Sequence, residues 1–430
     1  MVVESVAVTA TDLHRTIETV WRMESPRIIA ALTRLVRDVG LAEELAQDAL
    51  VAALEQWPAE GTPRNPAAWL MGTAKHRALD HLRRGPMLDR RHEQLGYEIE
   101  SGRRDEVSAL DDSLDDDVGD DLLRLVFVAC HPVLSRDAQV ALTLRLLCGL
   151  TTDQIARAFL VPEPTIAQRI VRAKKTLTKA GVAFEVPRGE DRATRLAAVL
   201  AVVYLVFNEG YTATAGSDWV RRSLCEEALR LARVLAELAP DEPEVHGLAS
   251  LLEFQASRLG ARVDAKGRAV RLNDQDRSRW DRLLITRGIR ALERAQRTEA
   301  PPGPYALQAG IAACHATAPT PGDTNWPAIV VLYDQLLRVM PSPIVELNRA
   351  VAVSMASGPE AALDVVETLA KVPMMKSYHL VPAVRGDLLE RLGRLDEARQ
   401  AFKRAAVLAQ NVREKELLLE RAAACGAAGG

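Results

Sequence analysis

Aromatic residues make up only 4% of the 430 positions, while Ala, Leu and Arg dominate, a balance that favours helices and argues against a mostly β fold. Cysteine is scarce as well. Cys130, Cys148, Cys225, Cys314 and Cys425 are widely scattered with no C-x-x-C pair, which points away from a disulfide framework or a zinc site and suits a reducing cytoplasm. No apolar run is long enough to span a bilayer; the longest, around Leu196 to Phe207, reads as a buried helix. The first residues, with Glu4 and Asp12, contain no long apolar stretch, so no signal peptide and no membrane partner are expected. Net charge is nearly absent too: 55 Lys and Arg stand against 58 Asp and Glu. Taken over the whole chain, that balance argues against a nucleic-acid partner.

The balance conceals two opposed blocks. Residues 89–121 carry four basic and thirteen acidic groups, whereas residues 122–188 carry ten basic and four acidic. With 48% hydrophobic and 26% charged residues the chain is otherwise an ordinary globular one, long enough for about three domains.

Helical periodicity runs from Asp12 to about Arg84, with a break expected at Gly40, a second helix over Ala42 to Trp57, and a loop marked by Pro58, Gly61, Pro63 and Pro66. Asn65 and Pro66 then read as the cap and first residue of a third helix ending at Gly85-Pro86. Residues 87–120, with seven aspartates between positions 111 and 121, read as a flexible linker. A second helical block runs from Leu122 to Gly181, and a third from Arg192 to Cys425. Near its end, LLERLGRLDEARQAFKRA places Leu388, Leu392, Gly393, Ala398, Phe402 and Ala405 at the packing positions of a tetratricopeptide helix pair. A second such pair, SPIVELNRAVAV and PEAALDVVETL, lies upstream. The expected fold is therefore all-α: residues 10–87 and 121–183 as two small domains, 88–120 as linker, and 190–425 as a helical-repeat extension.

Residues 148–177 hold the sharpest local pattern. Thr151 and Gln154 fit a capping box, opening a helix with Ile155 and Phe159 on one face; Pro164 is placed to start the next helix. There Ile166, Ile170, Ala173 and Leu177 share one side. Gln168, Arg172, Lys175 and Lys179 lie opposite, flanked by Arg169 and Lys174. This is the layout of a helix-turn-helix whose second helix enters the major groove. In the long helix after Pro66, Lys75, His76, Arg77, His81, Arg83 and Arg84 crowd the C-terminal half, which suits the helix dipole and could also serve DNA contacts.

On these residues the chain resembles a bacterial RNA polymerase sigma factor of the sigma-70 family, in the extracytoplasmic-function class that keeps only the sigma-2 and sigma-4 domains. DVGLAEELAQDALVAAL resembles the sigma-2 helix that docks on polymerase, AAWLMGTAKHRALDHLRR its promoter-reading helix, and Leu122 to Gly181 resembles sigma-4. His76 stands where members of the class commonly carry Asn. The resemblance implies that Asp38, Glu44, Gln47 and Asp48 face core RNA polymerase. It further implies that Asn65, Lys75, His76, Arg77, Arg83 and Arg84 serve the promoter minus-ten element, with a flipped base held by the loop from Trp57 to Asn65. Trp69 reads as core. Thr165, Gln168, Arg169, Arg172 and Lys175 would serve the minus-thirty-five element, and the acidic linker would thread the polymerase channel as an RNA mimic. The long extension resembles that of a subgroup in which it takes a regulatory place; its FNEGY string singles out Asn208, Glu209 and Tyr211, read either as a C-cap and turn or as a contact site for a protein or ligand. Asp218-Trp219 follow it. No nucleophile and base pair, metal cluster or phosphate-cradling glycine loop is evident, and Cys130-His131 reads as core, so neither an enzyme nor a cofactor is expected. The runner-up reading is a one-component helix-turn-helix regulator with a sensing repeat domain, and a third is a repeat-based scaffold whose N-terminal half is only helical packing.

Overall fold

The computed structural model describes residues 10–89, 118–159, 161–211, 222–264, 270–298, 300–409 and 411–428. Among them are eighteen α-helices and no extended strand, in two compact units, Met1–Val202 and Val203–Gly430.

In the first unit α1 (Ala10–Val36), α2 (Val39–Glu60) and α3 (Pro66–Asp89) bury Ile28, Leu32, Ala46, Trp57, Leu70 and Ala74. The break between α1 and α2 is not at Gly40, which lies inside α2. Arg37 instead takes a left-handed backbone (φ 54°), and the Asp38 carboxylate accepts the Leu41 N–H at 2.8 Å, a side-chain cap that fixes the start of the helix. Pro58 likewise sits inside α2, and α3 continues through Gly85-Pro86 to Asp89. Pro86 removes only the one N–H that would reach the Leu82 carbonyl, so a single helical bond near the end is lost. The expected start of α3 is as read: the Asn65 Oδ1 accepts the Ala68 N–H at 3.1 Å.

Four shorter helices follow: α4 (Val118–Ala129), α5 (Arg136–Leu146), α6 (Thr152–Phe159) and α7 (Glu163–Lys179). Residues 90–117, most of the expected linker, lie outside the described residues. Its last stretch is helical, because Asp120 and Asp121 occupy the first turn of α4, where carboxylates favour the dipole. Asp121 is fully buried, paired with Arg124 at 2.6 Å and Arg34 at 3.3 Å, so it is a structural anchor between α4 and α1 rather than a free linker charge.

Next comes α8 (Gly189–Tyr211), which is longer than the apolar run suggested and is long and apolar enough to cross a membrane by length and composition. Leu196, Val199, Leu200, Val203 and Val206 are nevertheless buried against the protein, as expected of a core helix.

In the second unit α9 (Arg222–Leu238), α10 (Pro243–Ser257), α11 (Arg282–Ala295) and α12 (Pro304–Thr317) pack around α10, which is buried along most of its length. Two glycines permit this. A Cβ on Gly247 would lie 2.6 Å from the Ala306 nitrogen of α12, and one on Gly288 of α11 would lie 2.8 Å from the Phe254 ring. The Glu244 carboxylate caps α12 through the N–H groups of Tyr305 (2.8 Å) and Ala306 (3.0 Å). Beyond α13 (Trp326–Val339), helices α14 (Pro343–Ser357), α15 (Glu360–Leu369), α16 (Leu380–Arg391), α17 (Leu395–Leu408) and α18 (Val412–Ala428) follow, each packed on the next. Leu388, Ala398, Phe402 and Ala405, all expected at packing positions, join one core with Leu347, Ala350 and Val366 of the upstream pair. Gly393 turns the chain between α16 and α17 with φ 74°.

Candidate nucleic-acid interface

Helices α6 and α7 are set by their ends. Thr151 and Gln154 cap each other reciprocally, the Gln154 N–H donating to Thr151 Oγ1 at 3.2 Å and the Thr151 N–H to Gln154 Oε1 at 2.9 Å. Helix α7 begins at Glu163, so Pro164 is its second residue rather than its first. Ile166, Ile170, Ala173 and Leu177 are buried, as is Ile155 of α6, while Phe159 is half-buried. That anchoring leaves Thr165, Gln168, Arg172, Lys175 and Lys179 exposed, a hydroxyl, an amide and three cations on one surface. Two expected contributors are turned elsewhere. Arg169 pairs with Asp137 of α5 at 3.2 Å, and Lys174 is directed inward.

The destination of Lys174 is a carboxylate that the sequence reading missed. Glu43 of α2 is 3% exposed and lies on the apolar side of the helix with Val39, Ala42 and Ala46. It pairs with Lys174 of α7 and with Arg145 of α5 at 2.6 Å, and accepts the Gln47 amide at 2.6 Å. A few residues away, the Thr178 hydroxyl donates to Asp38 at 2.9 Å. Burial alone would raise the Asp38 pKa, but the Leu41 N–H, the Thr178 hydroxyl and the charge of Lys174 outweigh it and hold the carboxyl below its ordinary range. A carboxylate among Val and Ala on a helix stripe was the available signal for Glu43, although its partners lie far off in sequence.

Of the residues expected to face polymerase, Glu44 and Asp48 are exposed, while Asp38 and Gln47 are half-buried and engaged as described. Asp48 reaches Arg77 of α3 at 3.4 Å. On α3, His76 and Arg83 are exposed, Lys75 and Arg77 half-buried, and Arg83 pairs with Asp80 at 3.7 Å. Asn65 is exposed and spends its side-chain oxygen on the helix cap; the side chain of Arg84 lies outside the described residues. Trp69 is half-buried and meets buried Trp57 edge to face at 5.4 Å.

In the second unit Asn208, Glu209 and Tyr211 lie within the last turn of α8, so FNEGY does not form the expected glycine C-cap. Tyr211 stacks on Phe207 at 5.5 Å, and the Arg262 guanidinium lies 3.6 Å above its ring. Asp218-Trp219 lie outside the described residues. Cys130 is buried with its Sγ 3.4 Å from Thr143 Oγ1, and burial raises its thiol pKa to about 11, which leaves it an inert packing group. Among the described residues no group of three or more His, Cys, Asp or Glu could hold a metal ion.

Comparison with known families matches residues 20–85 to Sigma-70 region 2 and residues 124–177 to Sigma-70, region 4. Residues 195–296 match a family of unknown function (DUF6596). Over 390 residues the chain is 48% identical to an uncharacterized protein of Rhizobium meliloti (strain 1021), a match spanning 90% of this chain and 91% of that protein.

Proposed function

We infer from its Sigma-70 region 2 and region 4 domains that the chain is a sigma factor, which binds core RNA polymerase, recognises promoter DNA and starts transcription there without itself being an enzyme. The observation that carries this reading is the outer face of α7, where Thr165, Gln168, Arg172 and Lys175 stand clear of the core within the region 4 match. Amide and guanidinium groups near the start of such a helix suit base edges in the major groove, and lysines suit phosphates. Asn65, Lys75, His76, Arg77, Arg83 and Arg84 would serve the minus-ten element, and Asp38, Glu44, Gln47 and Asp48 the polymerase. The possession of region 2 and region 4 supports placement in the extracytoplasmic-function class, acting in the cytoplasm.

The contacts of Glu43 add a step to this function. Elements centred near minus ten and minus thirty-five are separated by about 25 base pairs, or roughly 85 Å of duplex. Helices α2 and α7 touch through Glu43, Lys174, Asp38 and Thr178, so the domains that carry them must separate before both elements can be read. The docked arrangement is then a resting state, and polymerase, competing for the same acidic end of α2, opens it. The extension, with its tetratricopeptide-like helix pairs, would regulate that opening by binding a protein or ligand, with Asn208, Glu209 and Tyr211 as its contact to the rest of the machinery. Deleting residues 190–430 tests the regulatory role: transcription should lose its dependence on the inducing condition, and unchanged regulation would reject it.

A further inference from the structure

The extension carries a basic surface that none of these roles uses. Arg287, Arg290 and Arg294 of α11 recur at helical spacing, and Arg297 follows in the turn just after the helix. At 100° per residue the three helical arginines fall within a 60° arc, opposite the buried residues Ile285, Gly288 and Ala295. All four are exposed, as is Arg282 at the helix start. Gly288 and the Phe254 ring explain why this face is turned outward, since the close approach of α11 to α10 presses the other side inward.

These arginines form no ion pair among the described residues. Elsewhere in the unit Arg233 meets Glu253 at 2.7 Å, Arg349 meets Asp334 at 2.6 Å and Arg421 meets Asp387 at 2.8 Å. On α11 the acids are Glu293, exposed at the flank of the arginine face, and Asp281, whose carboxylate is occupied in capping the helix through the Leu283 and Leu284 N–H groups. From residue 279 to residue 297 there are six arginines, no lysine and two acids. Mutual repulsion among such cations is relieved when a polyanion lies across them.

We propose that this outer face of α11 is a binding surface for the phosphate backbone of duplex DNA. The arginines span about 15 Å along the helix, which matches the run of several successive phosphates on one strand. A guanidinium donates two parallel hydrogen bonds to a phosphate, which a lysine does not. The face offers no amide or aromatic group for reading bases; its other exposed side chains include Leu283 and Thr286. Binding is therefore independent of sequence, and it adds grip on DNA outside the promoter elements.

The test uses the full chain and a 30-base-pair duplex of mixed sequence lacking promoter elements, followed by fluorescence anisotropy from 50 to 200 mM KCl. Each phosphate contact contributes about 0.9 to the slope of log affinity against log salt, so four contacts weaken the wild type roughly 150-fold over that range. R287A/R290A/R294A/R297A, at exposed positions, should keep its circular dichroism and lose about 3.6 from the slope; the corresponding all-lysine variant should retain most of it. Failure of the wild type to bind the duplex, or an unchanged slope in the alanine variant, overturns the proposal. So does loss of polymerase binding with an unchanged DNA slope, which would assign the face to an acidic protein. Run-off transcription with core polymerase, measured on the same preparations, reports separately on the sigma reading. A slope that falls while the wild type makes no transcripts would sink that reading and leave this surface standing.

Discussion

Locking α2 to α7 should silence the protein reversibly. A Cβ built on Gly40 lies 3.9 Å from the Cβ of Lys174, within the roughly 3.5–4.5 Å that a disulfide requires, with the Asp38 carboxylate giving way by a few tenths of an ångström. The polar contacts that join the two domains include Glu43 with Lys174, Glu43 with Arg145, Thr178 with Asp38, and buried Asp121 with Arg34. Allowing about 1 kcal/mol for each after solvent screening, they hold the closed form by about 4 kcal/mol, an open fraction of roughly one in 900. Polymerase binding can supply that much, but it cannot open a covalent bridge. G40C/K174C, oxidised and checked on a non-reducing gel, should therefore give at least tenfold fewer run-off transcripts from a promoter with both elements. Dithiothreitol should restore the level of the reduced double variant. The bridge also closes a long loop, and chain entropy predicts about 5 kcal/mol of added stability against urea. Full transcription with the bridge intact would refute the reasoning, since it would mean that both elements are read without separation of α2 and α7.

Three further outcomes follow from the packing. E43A leaves Arg145 and Lys174 without their shared carboxylate and should lower the stability of the first unit by about 2–3 kcal/mol in urea unfolding; a change below 0.5 kcal/mol would show the pair to be idle. Burial, with Arg258 and Arg277 nearby, pushes the pKa of His315 down to about 4 from 6.5. The unfolded chain takes up this proton first, so the stability is fully present above pH 6.5 and is lost as pH falls toward 4, by about 3 kcal/mol. H315Q should flatten that part of the pH profile of unfolding, and an identical profile would contradict the assignment. G247A drives a methyl to 2.6 Å from the Ala306 nitrogen and should cost about 3 kcal/mol or more in thermal unfolding, because backbone rather than a flexible side chain must yield.

Features set by neighbouring residues were legible in the sequence. The Thr151 and Gln154 caps, the start of α3 at Asn65-Pro66, the buried row Ile166, Ile170, Ala173 and Leu177, and the helix pairs around Phe402 each depend on spacings of a few residues. Breaks were less legible. Gly40 and Gly85-Pro86 look like breakers, but a strong cap at Asp38 sets the first boundary, and α3 tolerates proline in its final turn. What could not be read was long-range. Glu43 and Arg145 are 102 residues apart, and nothing local announces that one buried carboxylate joins two domains. Arg169 and Lys174 sit at the flanks of the face, as their spacing implies, but periodicity does not name the distant acids they pair with. The α11 arginines could have been read from their spacing; a near-neutral total charge obscured them, as it obscured the acidic and basic blocks upstream.

Run-off transcription from purified core polymerase plus this protein, with no other factor present, is the decisive assay of sigma activity. A defined start site that requires both promoter elements is expected, with loss of those transcripts in R172A/K175A. Absence of specific transcripts with the wild-type chain, while an added housekeeping sigma factor restores them, would contradict that activity and favour a regulator that depends on another initiation factor.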